Sequence, residues 1–375
     1  MPEPLSLEIR ETVFSEGSQY FRVLLQDMAQ AKSNIDLEAY TFELDSLGQK
    51  VIDQLAAASR RGVNVRVMLD GAGSYISSSS IAGQLGNAGV QVRIFRALPW
   101  KIKQWEWSFP KLTWLLKLQQ LLKGMSRRNH RKICLIDRRV AFVGSFNISK
   151  RHLPGDEGGE GWRDTAVRIE GLNLDNLHHA FDSAWFDDHS PISRRIFSML
   201  HFRLNHIRRH KLRNDLLNHI SQCHTRIWIT NAYFVPNFSF LKHLKRAARR
   251  GIDIRILLPG TSDIFFIPLA TAMFYQSMLK SGIRIFEYTQ SVLHAKIIIL
   301  DDWVTVGSSN LDHLSMFSNL EVDVVLNLPS SKAAIQEQFL TDLSHSQEVF
   351  IKDLPNRPWW KKVIGRFLLY LKRWL

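Results

Sequence analysis

The sequence predicts an α/β protein made by internal duplication, two domains related by a pseudo-twofold axis with one site at their interface. Three observations carry this. A phrase of the form H-x-K-x4-D, a short strand and then G-S-x-N occurs twice. The first copy runs from His130-Arg131-Lys132 to Asp137 and on to Gly144-Ser145-Phe146-Asn147; the second runs from His294-Ala295-Lys296 to Asp301 and on to Gly307-Ser308-Ser309-Asn310. Upstream of each phrase the same strand–helix–strand order recurs. Finally, 375 residues are enough for two domains of ordinary size, each with its own core.

Taken in order, Asn34–Tyr40 reads as a strand, a helix-like stretch follows through Leu55, Ala58 and Arg61, and Gly62–Asp70 alternates as a second strand. The second half repeats this with Ile227–Tyr233, a helix over Leu241–Arg250, and Gly251–Leu258. Arg-Arg-Gly precedes the second strand both times. A third unit recurs as well, Asn87–Val92 against Lys280–Ile285. Strands alternating with helices in this way predict an α/β sheet in each half. The expected boundary lies near residue 190, giving domains 1–190 and 191–354, with a joining helix between Leu174 and Ile220. The halves differ in length: Gly62 to His130 spans 68 residues and Gly251 to His294 spans 43. The first half therefore carries an insertion over Pro99–Gly124, rich in Trp, Leu and Lys.

Composition narrows the function classes. Hydrophobic residues make up 45% and charged residues 22%, an ordinary globular balance. Two cysteines, Cys134 and Cys223, exclude a disulfide framework, and neither has a C-x-x-C neighbour. Met1–Arg10 has no basic n-region or apolar h-region, so no signal peptide is expected, and no window is apolar enough for a spanning helix. The net charge of +14 has a location: residues 99–128, 191–215 and 355–375 each carry about +6. Basic patches on a nearly neutral body point to an anionic partner, either nucleic acid or anionic lipid.

Alternate residues of a strand share a face, so His130 pairs with Lys132 and His294 with Lys296. Bringing the halves together converges two imidazoles, two ammonium groups and two amides. Phosphate is the ligand for that set, with lysine as point charge and with Ser145, Asn147, Ser308 and Asn310 as neutral donors. One neutral imidazole serves as nucleophile and one imidazolium protonates the leaving oxygen. Each histidine needs a carboxylate to fix its tautomer, and Asp164 and Glu321 lie at similar separations downstream. Asp137 and Asp301 complete the catalytic motif set, but they sit at the far end of the strand and are read as structural ties of the hairpin turn. No metal or cofactor is expected, because His–Cys ligand spacing is absent.

On these residues the chain resembles the phospholipase D superfamily, with two H-x-K-x4-D motifs in one polypeptide, over about Asn34–Val325. Within it, Val306–Asp312, Ser315, Asn319-Leu320-Glu321, His130-Arg131-Lys132 and Trp162-Arg163-Asp164 are similar to bacterial cardiolipin synthases of the type without N-terminal transmembrane helices. One position departs from the family's L-D-x-R-S pattern: Leu314 stands where arginine is usual. The resemblance implies two phospholipase-D-like domains and a metal-independent, two-step exchange through a phosphatidyl-histidine. Phosphatidylglycerol would donate its phosphatidyl group, a second phosphatidylglycerol would accept it, and glycerol would leave. His130 is then the nucleophile and His294 the acid, later the base. The implied partners are anionic phospholipids, phosphatidylglycerol and cardiolipin, at a membrane surface, and the implied location is peripheral, on the cytoplasmic face of a bacterial cell membrane.

Two stretches fit that surface. In 355–375, apolar Trp360, Val363, Ile364, Phe367, Leu368, Leu371 and Trp374 fall at helical spacing with basic residues between them, the pattern of an interfacial helix. In the insertion, Trp100, Trp105, Trp107 and Trp114 lie among lysines, and Trp359 adds to the tail set. The competing readings are a helix packed on its own core for the tail and a lid for the insertion. Ile264–Phe274 reads either as an acyl-chain entrance or as a buried helix. A phospholipase D that hydrolyses lipid shares every catalytic residue. A nucleic-acid phosphodiesterase fits the charge equally well, but the Trp/Leu interleaving argues against it, so no nucleic-acid partner is expected.

Overall fold

The computed structural model describes residues 9–98, 100–108, 127–171, 173–186 and 202–354. The expected 355–375 helix, Trp114, Trp359, Trp360 and Trp374 lie outside these.

Each half is a mixed sheet flanked by helices. The first half contains β1 (Arg10–Phe14), α1 (Gly17–Gln30), β2 (Asn34–Ala39), α2 (Ser46–Arg60), β3 (Asn64–Asp70), α3 (Ser78–Asn87) and β4 (Gln91–Phe95). It continues with α4 (Ile102–Ser108), β5 (Ile133–Ile136), β6 (Val140–Gly144), β7 (Ala166–Glu170) and α5 (Asp175–Phe186). The second half contains β8 (Phe202–Leu204), α6 (Asn205–Gln222), β9 (Arg226–Thr230), α7 (Phe238–Arg249), β10 (Asp253–Pro259), α8 (Ile267–Leu279) and β11 (Arg284–Tyr288). It closes with β12 (Ile297–Leu300), β13 (Trp303–Gly307), α9 (His313–Phe317), β14 (Val322–Val325), α10 (Pro329–Ser344) and β15 (Ser346–Val349).

The strand orders are β1-β7-β6-β5-β2-β3-β4 and β15-β11-β10-β9-β12-β13-β14-β8. Strand for strand they match, with β15 added at one edge of the second sheet. In both, three parallel strands carry the helical crossovers and the motif hairpin runs antiparallel beside them. Between Leu174 and Ile220, where a single joining helix is expected, the described residues hold two helices, α5 and α6, with β8 between them. β8 pairs with β14 and so belongs to the second sheet.

The repeated Arg-Arg-Gly has a local cause. Gly62 and Gly251 follow α2 and α7 at φ +89° and +86°, a left-handed turn that glycine enters without a Cβ penalty. Val63 and Ile252 then donate back to Ala58 and Ala247 of the helix ends. The motif hairpins likewise turn on left-handed residues, Asp137 and Arg138 in one and Asp301 in the other.

The two sheets pack face to face. Ile133, Leu135, Val143 and Val167 from the first meet Ile297, Ile299, Val306 and Val324 from the second in one apolar cluster. Each sheet's other face has a separate core, under α1 and α2 in the first half and under α6 and α7 in the second. Stacking of Trp228 on Phe339 (5.1 Å between centroids) and of Phe181 on Trp185 (5.6 Å) flanks the shared layer. Arg163 also crosses the interface, donating through Nε to Asp342 at 3.0 Å and pairing with its second oxygen at 2.9 Å, both side chains buried.

Candidate active site

Two backbone bridges between the halves build the site. His130 N donates to Leu320 O at 2.9 Å and Leu320 N to Arg128 O at 2.8 Å. Symmetrically, His294 N donates to Arg163 O at 2.8 Å and Arg163 N to Val292 O at 2.9 Å. Each motif's lead-in is thus zipped to the segment carrying the other half's carboxylate, so each histidine meets a carboxylate from the opposite domain. His130 Nδ1 donates to Glu321 Oε2 at 3.0 Å and to the Ser308 carbonyl at 3.1 Å. His294 Nδ1 donates to Asp164 Oδ2 at 2.7 Å. A carbonyl only accepts, so Nδ1 of His130 carries hydrogen and Nε2 keeps its lone pair.

The lysines of both motifs fold back onto the preceding histidine. Lys132 Nζ donates to His130 O at 2.8 Å, and Lys296 Nζ donates to His294 O. Each ammonium also lies by an aromatic face, Lys132 4.9 Å from the Tyr40 ring centre and Lys296 5.9 Å from that of Tyr233. All four motif side chains are buried. Burial followed by the charge of Lys296 pushes Lys132 well below the usual lysine range, and burial brings Lys296 down to about 8. Burial and the two lysines also push His130 well below its ordinary value, and His294 is lowered by burial and Lys296.

The two carboxylates are not equivalent. Burial raises Asp164, but the charge and hydrogen bond of His294 and the charge of Lys296 outweigh it and hold the acid below the usual carboxylate range. Burial dominates at Glu321 and pushes it up to about 7, against the pull of Lys132 and Ser308. His294 therefore faces a permanent anion, whereas His130 faces an acid that titrates near neutrality.

Several expected placements change. Ser145 and Ser308, expected on phosphate, are fully buried and donate to the carboxylates: Ser145 Oγ to Asp164 Oδ1, and Ser308 Oγ to Glu321 Oε2 at 2.5 Å. A hydroxyl has one hydrogen, and here it is spent on orienting the acid. Asn147 and Asn310 keep a buried amide oxygen without a partner. The glycine of G-S-x-N has a separate reason. A Cβ on Gly144 would come within 2.4 Å of that of Ala166, and one on Gly307 within 2.2 Å of Asp323 Oδ1. Asp137 and Asp301 lie in the hairpin turns but tie the neighbouring strand rather than the turn itself. Asp137 accepts from the backbone of Lys32, Ser33 and Asn34 at the start of β2, and Asp301 from His224, Thr225 and Arg226 at the start of β9. Those donors hold both carboxyls low despite some burial.

His152 escaped the sequence reading. It is buried, with Nδ1 3.7 Å from Asp164 Oδ2, while its Nε2 accepts from Asn147 N at 3.2 Å. Burial brings it down to about 3, so it stays neutral beside Asp164. Its counterpart five residues after the second motif asparagine is Ser315, which interacts with Glu321. The signal was present in the repeat, but a histidine aligned with a serine does not read as one function. Arg131 and Glu38 form a buried pair at 3.1 Å under His130, where the second half has Ala295 and Thr230. Of the tryptophans in the described residues, Trp100 is exposed, while Trp105 and Trp107 pack on Ile94 and Ala97.

Comparison with known proteins agrees with this architecture. The family described as "Cardiolipin synthase, PLD-like domain" matches residues 24–185 and 216–343. The chain is 32% identical to cardiolipin synthase B of Shigella flexneri over 364 residues, covering 93% of this chain and 84% of that one. It is 30% identical to the cardiolipin synthase of Halalkalibacterium halodurans, covering 96% and 71%. Among solved structures, phosphatidylserine synthase of Haemophilus influenzae Rd KW20 superposes with a TM-score of 0.71 at 12% identity, covering 97% of this chain and 95% of that one, a likeness of fold. With two matched half-sites locked across one interface and relatives similar over nearly the whole chain, this protein belongs to the cardiolipin synthase family of phospholipase-D-like enzymes.

Proposed function

We propose that the protein transfers a phosphatidyl group from one phosphatidylglycerol to the hydroxyl of a second, releasing glycerol and forming cardiolipin. The observation that carries this is the pair of buried imidazoles, each held through Nδ1 by a carboxylate from the opposite half. In the first step Nε2 of His130 attacks phosphorus, the P–O bond to glycerol breaks, and imidazolium His294 gives its proton to the departing oxygen. In the second, neutral His294 takes the proton of the acceptor hydroxyl, whose oxygen displaces His130. The unequal carboxylates support this order. The anion of Asp164 favours a proton on His294, while burial and two lysines keep His130 neutral. Lys132, Lys296, Asn147 and Asn310 hold the non-bridging oxygens. Asp164 and Glu321, seated by the two serines, orient the histidines.

The surface around the site fits a bilayer. Among the described residues no helix is long and apolar enough to cross a membrane. Leu44, Ile76, Trp100, Ile102, Phe238 and Phe265 are exposed. All follow the C-terminal ends of β2, β3, β4, β9 or β10, the sheet edge at which Tyr40 meets His130. Exposed apolar side chains in the loops and helix starts after these strand ends, with Lys101, Lys103 and Lys242 among them, suit docking on anionic lipid. We place the protein peripherally on the cytoplasmic face of a bacterial membrane, with the 355–375 tail as a second contact.

Purified protein incubated with phosphatidylglycerol vesicles should yield cardiolipin and glycerol. Phosphatidic acid alone would make it a hydrolase, and no lipid product would remove the reading.

A further inference from the structure

The internal repeat supplies its own control for a cavity that one half has and the other lacks. In the second half a cavity of about 80 Å³ opens beneath α6, reaching from Lys296 and Asn310 of the motif to Arg213 and Asp323. A water needs about 10–15 Å³, so the space holds several waters or one small polar group. The matching space in the first half is full. There Tyr20 stacks on Phe146 at 4.6 Å between centroids, and Phe21 and Phe142 meet the same pair edge-on.

Register fixes the equivalences. Cys134 pairs with Phe142 as Ile298 pairs with Thr305, so Phe142 corresponds to Thr305. Gly144 pairs with Ala166 as Gly307 pairs with Asp323, so Ala166 corresponds to Asp323. Within G-S-x-N, Phe146 corresponds to Ser309. Counting back from Asn34 and Arg226, which Asp137 and Asp301 hold alike, Tyr20 and Phe21 correspond to Leu212 and Arg213. Five residues that fill the first half are thus a leucine, an arginine, two hydroxyls and a carboxylate in the second, and all five line the cavity.

The polar groups there are built in. Asp323 is fixed by Ser309, accepting from its backbone N at 3.1 Å and its Oγ at 2.7 Å. Asn310 is buried with its amide oxygen unpartnered, and Nε of Arg213 is buried and without a hydrogen bond. Leu212, Leu216, Ile298 and Met316 supply apolar wall. An acyl chain laid here would leave Asp323 and Arg213 desolvated against hydrocarbon, which is costly. A group carrying hydroxyls satisfies both, donating to Asp323 and Asn310 and accepting from Arg213. With Arg203 paired to Asp215, Arg213 and Lys296 still outnumber the one lining carboxylate, Asp323, so a cationic ammonium is disfavoured.

We propose that this cavity is the subsite for an uncharged, hydroxylated lipid headgroup, a glycerol moiety whose phosphate lies at Lys296 and Asn310. The proposal rests on the phosphate-site reading above and deepens it by assigning the headgroup side to the second half.

The test is binding of water-soluble probes followed by calorimetry or ligand-observed NMR, using glycerophosphoglycerol, glycerophosphoethanolamine and inorganic phosphate. Two variants refill the cavity with the first half's own residues, Thr305→Phe on β13 and Leu212→Tyr on α6, with thermal melting to confirm folding. Thr305→Val, which removes only the hydroxyl, serves if either fails to fold. The expected result is that wild type prefers glycerophosphoglycerol to glycerophosphoethanolamine. A filling variant then loses at least about tenfold in glycerophosphoglycerol affinity, or about 1.4 kcal/mol, while phosphate binding stays within about twofold; Thr305→Val weakens glycerophosphoglycerol alone. Unchanged glycerophosphoglycerol affinity in the variants, equal affinity for the two headgroups, or a parallel loss of phosphate binding would overturn the subsite. Wild type that binds phosphate yet gains nothing from the headgroup sinks this proposal and leaves the phosphate site standing. Wild type that binds no probe sinks both.

Discussion

At the scale of the residue, the site is governed by who holds each imidazole. Removing either ring removes a chemical role, so His130→Ala and His294→Ala should each lower turnover by at least about 10⁴-fold. A single-turnover assay separates them. His294→Ala should retain slow phosphoenzyme formation with substrates bearing a good leaving group, whereas His130→Ala should form none. Turnover near wild type in either would end the two-histidine scheme. The pH dependence follows from the cited shifts. His130 must be neutral to attack and is lowered, so the acid limb of kcat/KM should lie below pH 6.5; on the basic side the lowered His294 loses its proton first, and Lys296 at about 8 should set a further fall near pH 8 as its charge is lost. A basic limb near the free-lysine value would contradict the buried-lysine account. Glu321 carries a stability consequence of opposite sign to an ordinary ion pair. Its folded pKa of about 7 lies above the unfolded value, so its contribution is full below about pH 4.5 and is lost as pH rises to 7. Glu321→Gln should therefore melt progressively higher relative to wild type between pH 4.5 and 7, while turnover falls.

At the scale of the element, the motif hairpin is anchored at one end and reactive at the other. Asp301 gathers three backbone N–H groups and the Thr225 hydroxyl at the start of β9, and Asp137 does the same at β2. These are capping interactions at the solvent side, where loss of an acceptor costs about 1–2 kcal/mol. Asp301→Ala should therefore lower the unfolding free energy by about that much, with kcat changed less than tenfold. Collapse of kcat at unchanged stability would instead make the motif aspartate catalytic. The repeated spacing of these hairpins was legible because a period-two strand followed by a fixed turn leaves a fixed sequence distance. The pairing of each histidine with the opposite half's carboxylate was not, since it depends on the bridges from Asn129 to Leu320 and from Arg163 to Leu293.

At the scale of the whole molecule, the two sheets enclose the shared apolar layer, and the site lies where that layer ends at the paired motifs. Trp228 stacks on Phe339 in that layer, so Trp228→Ala should destabilise by about 3–5 kcal/mol. Because the site is shared across the interface, activity should fall in step with unfolding, not before it. Loss of activity while the near-ultraviolet signal persists would mean the halves loosen first. Membrane attachment belongs to this scale too. Deleting 355–375 should weaken binding to anionic vesicles while the melting temperature holds. Unchanged partition after truncation would remove the tail as a contact and leave the apolar rim around Ile76, Trp100, Phe238 and Phe265 as the docking face.

What the sequence determined by itself is what local spacing can carry: the duplication, the α/β class, the two histidine–lysine pairs, the asparagines and the two acids. These follow from strand periodicity and from a phrase long enough not to recur by chance. Only the tertiary structure decided which acid serves which histidine, that the serines act on the acids, that His152 joins Asp164, and that one half is packed with aromatics where the other is hollow. Each of those depends on contacts between residues far apart in the chain. Phe146 and Ser309 occupy one position in the phrase, yet what that position does depends on whether Tyr20 or Leu212 lies above it.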